Sequence, residues 1–170
     1  KGPFHYEWQR NGSPIPGAPD EAAYVITSAG SGQVGQYRVR VTGGCGAAVV
    51  SSEAQLTLNH NPVIRNYETL SMMVDVDTNC PSEGQKVVLE ADDQENDALS
   101  WRIKPGSEPV LGTVLFVNGD RGPSLTMCYD PIGYEGYDYF VVEVADDCGG
   151  IDEVTVDVLI VHAPRITSWQ

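Results

Sequence analysis

The chain has 170 residues, 41% of them hydrophobic, and a net charge of −14, enough for one large domain or two small ones with a core. The first 60 residues carry four Lys/Arg and four Asp/Glu, and the rest carry six and twenty. That balance excludes nucleic acid, whose phosphates call for a basic patch, and favours divalent cations. No apolar run approaches the roughly 20 residues that a membrane-spanning helix needs.

Taken in chain order, the predicted elements are all short strands. "FHYEW", "AYVIT", "QYRVRV" and "AQLTL" come first. "KVVLEA", "LSWRI", "TVLFV", "SLTMCY", "YFVVEV" and "EVTVDVLIV" follow. Apolar residues alternate in them and Gly/Pro clusters separate them. "RNGSPIPG" and "VNGDRGP" each contain Asn-Gly, a strong hairpin signal. Asn11-Gly12-Ser13 is also a glycosylation sequon, but Pro14 follows it and a turn is the expected role. Short strands punctuated in this way predict antiparallel sandwiches rather than a parallel sheet.

The two halves can be laid over one another. The first has Trp8, then "GQYRVRVTGGCG", then "SSEAQLTL"; the second has Trp101, then "DYFVVEVADDCGG", then "IDEVTVDVLI". Cys45 and Cys148 each lie eight residues after an aromatic, Tyr37 and Phe140. Each half closes on a His-x-Pro linker, at His60 and at His162. This is a divergent internal repeat, the signature of an array.

With these residues the first half resembles the bacterial immunoglobulin-like domains of large secreted repeat proteins. The resemblance implies that Trp8 is the core tryptophan of strand C. It implies that Tyr37 closes a tyrosine corner, although Gln33 stands where the family has Asp. Strands A and B have no counterpart in residues 1–60. The second half resembles the cadherin-like tandem domains of bacterial surface proteins. The matching pieces are "SEGQKVVLEADDQENDALSWRI", "CYDPIGYEGYDYFVVEV" and "ADDCGGIDEVTV". There Trp101 takes the strand C position and Phe140 the corner position, without a hydroxyl. The expected fold is all-β, two antiparallel β-sandwiches in tandem. Residues 1–60 form an incomplete first sandwich, 61–161 a second, and 162–170 a linker and first strand of a next domain. A chain that starts and stops inside domains reads as a window of a longer protein. The alternative is self-assembly, with one subunit's last strand completing its neighbour by strand addition.

"EADDQEND" places Asp93, Glu95 and Asp97 two residues apart. Calcium takes six to eight oxygen ligands, and alternate carboxylates in a curved loop can converge on one ion. Glu83 and Asp146 match acidic positions at the same pole of calcium-binding relatives. Asp92 and Asp147 are adjacent substitutes, and Asp138 reads as a turn-stabilising residue. Calcium is therefore the expected cofactor. The competing reading is a solvated acidic turn in which Asn96 and Asp97 cap the backbone.

In such a sandwich the loop before strand B and the last hairpin lie at one pole, so the resemblance implies a Cys80–Cys148 disulfide. Cys45 is the counterpart of Cys148. Cys128 faces away from Leu125, Met127 and Tyr129, as a free thiol, an intermolecular partner or a small hydrophobe. Zinc is not expected, because no C-x-x-C is present.

No nucleophile elbow, phosphate loop or zinc-protease helix occurs, and His5, His60 and His162 are scattered, so the chain is not read as an enzyme. Two functional classes remain. One is a structural segment of a long extracellular filament or surface adhesin, stiffened by calcium and disulfides, whose partners are neighbouring repeats. The other is a module that binds glycan or another surface, or serves a secreted enzyme, for which Tyr134 and Tyr137 form the exposed aromatic cluster.

Overall fold

The computed structural model describes residues 3–65, 69–80 and 85–162. The chain divides into two compact units, Lys1–Leu58 and Asn59–Gln170. The last eight residues, read above as a linker and next strand, lie outside the described ones, as does Glu83.

The first unit is one antiparallel sheet. Strands β1 (His5–Arg10), β2 (Ser13–Pro14), β3 (Gly35–Thr42), β4 (Val49–Val50) and β5 (Ala54–Leu56) run in the order β2-β1-β3-β4, with β5 also paired to β3. Asn11 and Gly12 both take positive φ, 49° and 79°, the pair of left-handed residues that a two-residue hairpin demands. Asn11 Oδ1 also accepts a hydrogen bond from the Gln36 N–H at 2.9 Å, which ties the hairpin to β3. The Tyr37 hydroxyl donates to the Gln33 carbonyl at 2.5 Å. The tyrosine corner therefore forms without an Asp at position 33. Trp8 is only half-buried, and its Nε1 donates to the Glu21 carbonyl at 3.0 Å.

The second unit contains two four-stranded sheets face to face. One has the order β10-β11-β8-β6, from β10 (Gly112–Phe116), β11 (Ser124–Pro131), β8 (Lys86–Asp92) and β6 (Val63–Ile64). The other has the order β7-β13-β12-β9, from β7 (Thr69–Asp75), β13 (Ile151–Val161), β12 (Gly136–Ala145) and β9 (Ser100–Ile103). Strict period-2 alternation sets Phe140, Val142 and Val144 on β12 and Val154, Val156, Val158 and Ile160 on β13 into the core. Leu89, Leu125, Met127 and Tyr129 meet them from the other sheet. Each fully buried side chain of this size contributes about 1.5–3 kcal/mol. Trp101 is 2% exposed, and its Nε1 donates to the Gly122 carbonyl at 2.8 Å.

Two expectations need correction here. The pairing is not wholly antiparallel: β7 runs parallel to β13 over seven residue pairs. The chain crosses to the other sheet between them, which lets both strands point the same way at one sheet edge. The overlay of the two halves also slips. Trp8 faces Val39 and Trp101 faces Val144 across their ladders. Counted from those partners, Tyr37 lies two residues upstream and Phe140 lies four. Phe140 is a fully buried core residue stacked on Tyr129, with ring centroids 6.2 Å apart. The polar corner of this unit belongs instead to Asp138, the turn-stabilising residue read from the sequence. It accepts N–H donations from Val110, Leu111 and Tyr139 and the hydroxyl of Tyr129 at 2.5 Å.

The disulfide expectation is overturned as well. Cys80 is bonded to Cys128, with Cα atoms 6.1 Å apart, and Cys148 and Cys45 are free and exposed. Alternation on β11 does turn Cys128 away from Leu125, Met127 and Tyr129. That outer side is covered by the segment carrying Cys80, whose N–H reaches Asp130 Oδ1 at 3.4 Å. Cys128 is consequently 1% exposed.

Candidate metal centre

Three stretches meet at one pole of the second unit. The first is the loop after β8. Asp93 Oδ1 accepts the N–H groups of Glu95 at 3.0 Å and Asp97 at 2.9 Å, and Asn96 takes φ 61°. An Asp bonded to its own downstream backbone makes a tight turn here, and it brings the Asp97 carboxylate back beside that of Asp93. The second stretch is the β12–β13 hairpin. Asp146, 7% exposed, accepts the N–H groups of Cys148 and Gly150 through Oδ1, each at 2.8 Å. Its Oδ2 accepts from Asn59 Nδ2 at 2.8 Å. The third stretch is residues 59–62, which enter β6. The His60 N–H donates to Glu95 Oε2 at 3.0 Å, and His60 Nδ1 lies 2.8 Å from Glu95 Oε1.

The result is a convergence of Asp93, Asp97 and Asp146, each offering a carboxylate oxygen within 4.8 Å of the others. Asp93 Oδ2 is shielded from solvent and has no hydrogen-bond partner among the described residues. Three carboxylates this close repel one another, and an orphaned, buried anionic oxygen is costly. Both features fit a hard, oxygen-seeking cation such as calcium. The Asn59 amide donating to Asp146, joined by the N–H groups of Gly150, Cys148 and Gly149, holds that carboxyl below its usual range against the cost of burial. The Cys148 thiol is pushed up by the charge of Asp97, then by burial and the charge of Asp146.

Asp92 and Glu95, also named from the sequence, do not join the cluster. Asp92 is held in a two-pronged pair by Arg65, whose guanidinium lowers its pKa. Glu95 is turned onto His60, whose side chain and N–H lower its pKa. Sequence reasoning missed Asn59 and His60, noted only as part of a repeat-closing linker. The available signal was a polar run, "NHNP", directly ahead of a strand.

Close packing makes the site sensitive to volume. A Cβ on Gly150 would collide with Asp146 Oδ2 and approach the Asn61 Cα at 2.9 Å. Gly150→Ala is expected to cost about 1–3 kcal/mol and to free the Asn59–Asp146 contact. Thermal unfolding with hydrogen exchange at residues 59–62 checks both effects, and an unchanged melting temperature would contradict this packing.

No protein-family model matches the sequence, nor does any curated protein. Among solved structures, a three-domain fragment of titin, domains I67–I69 in a Glu-to-Ala variant, superposes with a TM-score of 0.57 at 14% identity. It covers 99% of this chain and 59% of that one. A second structure, the I-band fragment I67–I69 from titin, gives a TM-score of 0.55 at 14% identity over 94% of this chain and 56% of that one. The fold is that of tandem immunoglobulin-like domains. The chain spans somewhat over half the length of these immunoglobulin-like fragments, and at this identity the likeness concerns fold alone.

Proposed function

We propose that this chain is a structural or adhesion module of a longer extracellular protein, a tandem of immunoglobulin-like units organised by calcium at the second unit's linker pole. The observation that carries the reading is the junction of Asp93, Asp97 and Asp146 with residues 59–62, where Asn59 and His60 bond directly to the acidic loops. Asp93, Asp97 and Asp146 would hold the ion, and a bound divalent cation offsets their mutual repulsion. The Cys80–Cys128 disulfide supports an oxidising compartment. Neighbouring domains of the same protein are the natural partners, and the resemblance of both halves points to a bacterial cell surface.

The test is thermal unfolding of the full chain in calcium, in magnesium and in EDTA, alongside Asp97→Asn. Calcium at roughly a hundredfold excess over its Kd is expected to add about 2–3 kcal/mol. Asp97→Asn should remove that gain while raising stability in EDTA, because it relieves repulsion. Equal melting temperatures in calcium and EDTA would end the proposal.

A second reading draws on the outer surface near β12. Tyr134, Tyr137 and Tyr139 are 66%, 84% and 60% exposed. Such flat, solvated rings suit stacking on sugar faces, and a glycan array separates this reading from the structural one. Binding that Tyr137→Ala abolishes would favour it, whereas a blank array favours the structural module.

A further inference from the structure

The second unit leaves one sheet edge without the features that blunt the others. Among the described residues, its edge strands are β6, β10, β7 and β9. β6 is two residues long, and β7 and β9 carry Asp75 and Arg102. Very short edges and charged edges resist pairing with another chain. β10 has five residues and no charge. It lies within "PVLGTVLFVNG", residues 109–119, the longest uncharged run of the unit. That run sits in the part of the chain that carries the whole net charge of −14.

The backbone of β10 is only half spent. It runs antiparallel to β11, with Val114 opposite Tyr129 and Leu115 opposite Cys128. The Val117 N–H donates to the Thr126 carbonyl at 2.7 Å, and the Ile132 N–H to the Leu111 carbonyl at 3.0 Å. Bonded and non-bonded pairs alternate along such a ladder, so Thr113 and Leu115 also spend their N–H and C=O groups on β11. Those of Gly112, Val114 and Phe116 point outward, and among the described residues no other segment bonds to them. The side chains show the same opening. Val114 and Phe116 pack against the core yet stay half-buried. Leu115 and Val117 are 43% and 39% exposed.

We propose that β10 pairs antiparallel with β10 of a second copy of this chain, across a two-fold axis at Val114. This register sets Val114 against Val114 and Gly112 against Phe116, and it uses every outward N–H and C=O of the strand on both sides. A strand centred on its own middle residue presents matching donors and acceptors to its copy, so the contact is isologous and closes at two. Charge selects the same partner. Two chains of net charge −14 repel one another, and the uncharged run is where their backbones meet against the least repulsion. A basic partner would find no charge on this edge to pair with. β10 lies mid-chain, in a unit with both of its sheets, so the edge does not depend on what adjoins either end of the chain. In a longer tandem protein, the same weak contact repeated between neighbouring molecules gains through effective concentration.

The experiment is sedimentation equilibrium of the 170-residue chain up to millimolar concentration, with amide exchange read residue by residue by NMR at both ends of the range. A contact of this size belongs to the weak class of interfaces, so the mass is expected to approach that of two copies only in the upper part of the range. There the amides of Gly112, Val114 and Phe116 should gain several-fold protection, and those of Thr113 and Leu115, already bonded to β11, should gain less. In this register Thr113 of one copy faces Leu115 of the other. Thr113→Lys with Leu115→Lys therefore sets like charges directly opposite, on side chains that are exposed. It also lowers the net charge of the chain, so a loss of association cannot come from overall repulsion. This double variant should stay monomeric. Val88→Lys is the control: Val88 is 49% exposed on β8, an interior strand, and that variant should pair like the unaltered chain. Near-ultraviolet circular dichroism confirms that each is folded. A chain that stays monomeric at millimolar concentration overturns the proposal, as does a mass that climbs past two copies. So does a double variant that associates like the unaltered chain, or a Val88→Lys that loses association equally.

Discussion

Asp138→Ala is expected to lower the stability of the second unit by about 3–5 kcal/mol, among the largest effects of any single substitution in this chain. The carboxylate is 8% exposed and serves three backbone N–H groups and the Tyr129 hydroxyl. Removing it leaves the buried Tyr129 hydroxyl and three part-buried N–H donors without their acceptor. Tyr129→Phe removes only one donor and should cost about 1–2 kcal/mol. Burial opposes ionisation of Asp138, but the Tyr129 hydroxyl and the N–H groups of Val110, Leu111 and Tyr139 outweigh it, so its pKa lies below the usual 3.8. A depressed carboxyl pKa contributes stability that is fully present above the unfolded value. That contribution is lost as pH falls through the folded one. The wild-type unit should therefore weaken below about pH 4, and Asp138→Asn should flatten that part of the profile. Native-state hydrogen exchange along β12 reads both effects.

The second large effect belongs to the disulfide. Cys80 and Cys128 are 48 residues apart in sequence, and closing a loop of that length stabilises by about 4 kcal/mol in the chain-entropy view. Cys80→Ala with Cys128→Ala should lose most of that. Cys148→Ala should lose almost nothing, since its thiol is free and exposed. Peptide mapping without reduction, followed by urea unfolding of the three proteins, checks the assignment. A Cys80–Cys148 peptide, or a large loss from Cys148→Ala, would reverse it.

How much of this was legible in the sequence depends on the range over which each signal acts. The alternation of Val142 and Val144 with Val154, Val156 and Val158 was readable because a buried sheet face imposes period two on its own strand. The Asn11-Gly12 hairpin was readable because two left-handed residues in a row leave little choice. The Cys128 partner was not readable. The strand period tells which side of β11 the thiol takes, but not that the chain around Cys80 returns to cover that side. The acidic loop was half legible. Spacing by two places Asp93, Glu95 and Asp97 together in an extended strand. The turn at Asn96 brings the first and third together and leaves Glu95 to His60. Asp146 could be placed only by analogy to relatives, and Asn59 not at all, since both reach the site through tertiary contacts. Trp8 and Trp101 look equivalent as letters. They differ in burial: Trp101 is enclosed in the core of the second unit, whereas Trp8 is half-buried against the Tyr24 ring, 5.7 Å away.

The claim that the linker and the two acidic loops form one calcium-organised pole is tested most directly by hydrogen exchange of the full chain in calcium and in EDTA. Residues 59–62, 93–98 and 146–150 should gain protection together on adding calcium, with β12 and β13 unchanged, and Asp93→Asn should abolish the gain in all three. Protection that does not change with calcium, or that appears in one stretch without the others, would contradict the account.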